Sequence, residues 1–153
     1  MKESFKGPGK REDPCPYANL IALKALALEK RGSLSAEIEA GLEVLLRHWD
    51  HAYDHKLFLF ATGSDFRKLK YPYVWYDLLH AAEVLSLYPE IHPDPRFQAL
   101  LGELASQADD EGRFTATSMY QAWKGWSFAD KKNPSPWLTF LAFRIFKRVG
   151  NPA

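Results

Sequence analysis

Tyr71-Pro72-Tyr73-Val74-Trp75-Tyr76-Asp77-Leu78-Leu79-His80 lies at the middle of the chain and holds its densest mix of rings and ionisable groups. Proline is favoured at the first helical position, because the N–H it lacks would have no partner there. The stretch therefore predicts a helix opening at Pro72 and running to Tyr88-Pro89. The pattern recurs on both sides. Cys15-Pro16-Tyr17 opens a segment that closes at Gly32, and Ser135-Pro136-Trp137 opens one that closes at Gly150. The residue after each proline is aromatic: Tyr17, Tyr73 and Trp137. The eighth residue after each is Lys24, His80 or Arg144, and the seventh is large and apolar: Leu23, Leu79 or Phe143. Near-equal spacing of similar segments is the signature of internal repeats.

The intervening sequence supplies partners. Ser35 is placed to cap a helix from Ala36 to Trp49, with Ile38, Leu42, Leu45, Leu46 and Trp49 as its apolar stripe. Asp94-Pro95 starts another, with Phe97, Leu100, Leu101 and Leu104 on its buried side. The expectation is an all-α fold of about five helices, in hairpins that stack because none buries its apolar face alone. The three proline-initiated helices form the inner layer. The helix from Pro16 is apolar on nearly all sides, so it predicts cover on nearly all sides. Long connections, His51 to Tyr71 and Gln107 to Ser135, join the units. Met1 to Pro14 reads as a flexible leader, and residues 15–153 as one domain.

Composition sets bounds on function. A chain of 153 residues buries a real core. A net charge of +1 argues against a nucleic-acid domain held by phosphate contacts. The single cysteine forms no internal disulfide and points to a reducing, cytoplasmic setting. No apolar run approaches the ~20 residues of a membrane span. Gly-rich phosphate loops, cysteine-pair zinc motifs and serine nucleophile elbows are lacking, so no cofactor is expected.

The proline-aromatic helices, their amphipathic partners, and Gln107 followed by Asp109-Asp110-Glu111-Gly112-Arg113-Phe114 together resemble the α/α-toroid repeats of terpenoid cyclases and protein prenyltransferases. The resemblance covers Pro14 to Gly150 and implies a partial (α/α) toroid with long connecting loops. It also implies an isoprenoid-like apolar ligand. The Asp-Xaa-Asp-Asp acid motif of squalene-type cyclases is absent, and a closed toroid holds more hairpins than this chain. The alternative is a non-catalytic helical scaffold, or an arc completed by a homodimer or a partner chain. An open arc leaves Phe140, Phe143 and Phe146 partly exposed on the last helix.

Four sets of residues could carry chemistry. Tyr76, His80 and Glu83 share one face of the predicted central helix, with Asp77 three residues before His80. A carboxylate that orients a histidine makes an acid–base pair, so Asp77 and His80 are the catalytic candidates. A solvated face is the plainer alternative. Asp13 and Cys15, with Asp77 or His80, make a second set: the resemblance implies an Asp, Cys and His zinc site, against which a lone cysteine is more often a small core residue. Trp75, Tyr76, Trp123, Trp126, Phe128 and Trp137, together with Tyr73, could line an apolar pocket or stabilise a cation, or pack as core. Finally, Arg67-Lys68-Leu69-Lys70 and Lys131-Lys132 precede helix starts and could hold a diphosphate, or be solvated loops. If the inner helices are parallel, Lys24, His80 and Arg144 form a cationic tier above the rings, suited to a prenyl diphosphate.

Overall fold

The computed structural model describes residues 14–28, 35–52, 66–70, 76–125 and 129–150. Among them are five α-helices, two short 3-10 turns (Pro89–Ile91 and Gln121–Trp123) and no strand beyond one isolated antiparallel bridge, Ala108 with Phe114. The expected all-α class is what the described residues show. They belong to two compact units, Met1–Phe66 and Arg67–Ala153.

The first unit holds α1 (Pro16–Leu26) and α2 (Ala36–Asp50), packed on each other. Pro16 occupies the first helical position of α1, and the Cys15 sulfur accepts the Ala18 N–H at 3.4 Å. The Asn19 side-chain amide returns to the Cys15 carbonyl at 2.8 Å. The helix ends at Leu26, with Ala27 as its cap, short of the expected stop at Gly32. Cover on nearly all sides is also corrected. Pro16, Leu20 and Leu23 are buried, whereas Ala18, Ile21, Ala22 and Ala25 form an exposed face. Three of those four are alanines, which offer so little apolar surface that leaving them in water costs little. α2 follows its stripe: Ile38, Leu42, Leu45, Leu46 and Trp49 are buried, joined by Gly41 and His48. Gly41 is the closest approach to α1. A Cβ there would stand 3.3 Å from both Asn19 Oδ1 and a Leu23 methyl.

The second unit is built around α3 (Leu78–Leu85), all eight residues of which are buried. It packs against α4 (Pro95–Ala105) and α5 (Pro136–Arg148), which also meet each other. The central helix therefore opens at Leu78 and not at Pro72, which lies outside the described residues. Asp77 is extended, with φ −141° and ψ 175°, and its carboxylate accepts the His80 N–H at 2.9 Å. An aspartate that bonds forward to the backbone two or three residues on sets a helix start at itself. Here that local bond decides the boundary. Tyr76 and Asp77 thus precede the helix and do not lie on one of its faces.

α4 and α5 start where expected. Asp94 accepts the Arg96 N–H at 2.8 Å and Ser135 the Leu138 N–H at 3.3 Å, each followed by proline at the first helical position. Phe97, Leu100, Leu101 and Leu104 of α4 are buried with Leu138, Leu141, Ala142, Ile145 and Phe146 of α5. The expected exposure of Phe146 is corrected, since it is 3 % exposed. It falls one helical turn after Ala142, on the inward side. Phe140 and Phe143 stay outside, at 50 % and 41 %.

Two connections are pinned to the helices. The Asp109–Arg113 turn closes through Asp109 N–H to the Arg113 carbonyl (2.9 Å) and Gly112 N–H to the Asp109 carbonyl (2.8 Å). Gly112 has φ +73°, which costs glycine nothing. Beyond it, Phe114 N–H donates to Thr139 Oγ1 of α5 at 3.0 Å, and the Ser135 N–H donates to the Phe114 carbonyl at 2.7 Å. Residues 67–70 are tied within the same unit. Leu69 N–H donates to Thr117 Oγ1 at 2.8 Å, and Thr117 N–H donates to the Leu69 carbonyl at 3.0 Å.

Candidate functional site

Asp77, Glu83, Arg144 and Arg148 of the second unit meet at α3. Asp77 is 3 % exposed and serves two backbone donors. Oδ1 takes His80 N–H, and Oδ2 takes Lys70 N–H at 3.1 Å. One carboxylate thus caps α3 and anchors the segment that leads towards it. His80 is 1 % exposed and sits in the first turn of α3. The His80 backbone N–H is the donor in the bond to Asp77. Asp77 and His80 are therefore brought together through the helix cap.

Glu83 lies one turn further on, 4 % exposed. Its Oε1 accepts from Arg144 Nη2 at 2.6 Å, and its Oε2 stands 3.0 Å from Arg148 Nη1. Arg144 and Arg148 are four apart on α5, so both reach one carboxylate from the same face. Arg148 also donates to Ser86 Oγ at 3.1 Å, and that hydroxyl donates to the Glu83 carbonyl at 2.7 Å. Each arginine side chain is about a third exposed, 37 % for Arg144 and 30 % for Arg148, so solvent shares in compensating the second positive charge. Arg144 also lies 5.6 Å over the Phe140 ring. Arg144 was legible as a cation of the last helix and Glu83 as a polar residue of the central one. Their pairing was not, because 61 residues separate them.

The other sets separate. Arg67 pairs with Glu103 at 2.9 Å, its carbonyl accepts from the Gln107 amide at 2.8 Å, and Leu69 is buried, so the Arg67–Lys70 run is largely a tether between the loop and α4. Lys132 N–H and the Asn133 amide both serve Asp130, each at 2.7 Å. The bond from the Asn133 side chain, then that from the Lys132 backbone, hold the Asp130 carboxyl below its usual range. The rings divide likewise. Tyr76 is buried, Trp123 stacks edge-on against Tyr120 at 5.2 Å, and Trp137 is 43 % exposed and stacked on Phe140 at 5.5 Å. Tyr73, Trp75, Trp126 and Phe128 lie outside the described residues. Lys24 belongs to the first unit and His80 and Arg144 to the second, where Arg144 is engaged by Glu83.

For zinc, Asp13 lies outside the described residues and the Cys15 sulfur caps α1. No group of three His, Cys, Asp or Glu able to hold a metal occurs among the described residues. None of their helices is long and apolar enough to cross a membrane. His48 is a buried polar residue that pattern reading missed. It is 1 % exposed, with its ring edge-on to Phe66 at 5.3 Å. Its place at the third position after Leu45 on the apolar side of α2 was the available signal. Comparison with protein-family models, with curated proteins and with solved structures gives no match.

Proposed function

We propose that the chain is a non-catalytic helical scaffold, an arc of helical hairpins that works by presenting a surface. The observation that carries this reading is the double engagement of Glu83 by Arg144 and Arg148. A carboxylate hydrogen-bonded through Oε1 to Arg144 and ion-paired through Oε2 with Arg148, without a hydrogen bond there, is a clamp between α3 and α5. The use of both Asp77 oxygens by backbone N–H groups supports the same reading. A general base needs an oxygen or ring nitrogen turned to its substrate. The partial α/α toroid of the cyclase and prenyltransferase group remains the architecture proposed for this arc. Support for it comes from proline at the first position of α1 and α5, and from the turn after α4.

The test is titration of the full chain with farnesyl diphosphate, followed by calorimetry. The scaffold reading expects no saturable heat. Micromolar binding that weakens at least tenfold, ~1.4 kcal/mol, in the Lys24→Ala, Arg144→Ala double variant would overturn it in favour of an isoprenoid site.

A further inference from the structure

We draw no further inference here: the strongest candidate, the exposed aromatic face of α5 formed by Trp137, Phe140 and Phe143, is an unpartnered apolar surface, and nothing in the structure shows what covers it.

Discussion

Asp77 and Glu83 show how a buried acid can hold two elements together. Each is a carboxyl group at 3 % and 4 % exposure, and burial of such a group is tolerated only with hydrogen-bonding or ion-pairing partners. Asp77→Ala removes a helix cap and leaves the Lys70 N–H without its acceptor. Its expected cost is about 2 kcal/mol in urea denaturation, with Asp77→Asn losing less because one acceptor remains. Glu83→Ala leaves the two α5 guanidinium groups, of Arg144 and Arg148, without the α3 carboxylate that pairs with both. Because each reaches solvent, the expected loss is about 2 kcal/mol, below that of a fully enclosed broken pair. A double-mutant cycle between Glu83→Ala and Arg144→Ala should then show strong coupling. Additive effects would mean that the clamp contributes nothing as a pair.

Caps and close approaches decide how each helix is set. At α4, the side-chain bond from Arg96 comes first among the causes that hold the Asp94 carboxyl below its ordinary value of 3.8. The folded pKa is depressed, so the unfolded chain takes up the proton first as pH falls. The stabilisation is therefore present above pH 3.8 and is lost as pH falls from there through the folded value. Asp109 and Asp130 are shifted in the same direction, by the Arg113 backbone and the Asn133 side chain, and reinforce the trend. Thermal melts taken from about pH 5 down to about pH 2 should show a steep fall in Tm that is shallower in Asp94→Ala. A parallel profile in that variant would remove the cap from the account. Gly41 sets the spacing of α1 and α2. Gly41→Leu gains helix propensity of about 1 kcal/mol but drives its side chain into Asn19 and Leu23. The expected net effect is destabilising, read as a lower denaturation midpoint.

At the scale of the whole chain, the charge balance and the exposed aromatic face act together. With +1 overall and an isoelectric point near 7.8, the chain carries little repulsion at neutral pH. Solubility should pass through a minimum near that point and rise on either side, as precipitation assays across pH will report. Phe140→Asp should raise solubility there by removing the centre of the patch and adding a charge. An unchanged minimum would mean that the exposed α5 rings do not limit solubility.

Much of the helical pattern was legible. Pro16, Asp94-Pro95 and Ser135-Pro136 mark helix starts because capping and proline act through neighbouring residues alone, whereas Ser35 stands before α2 with no side-chain cap bond. The stripes of α2 and α4 were readable for the same reason, since a 3.6-residue period is a local property. The central helix was misplaced because its opening rests on the Asp77 bond to His80 N–H, which competed with a strong proline signal five residues earlier. Burial was harder still. The alanine face of α1 reads as apolar yet lies in water, and Phe146 turned inward while Phe140 and Phe143 did not. Sequence by itself determined the helical class and most of the helix starts. Only the tertiary structure decided that Glu83 would meet Arg144 and Arg148, because contacts between residues some sixty apart depend on how helices pack and leave no local trace.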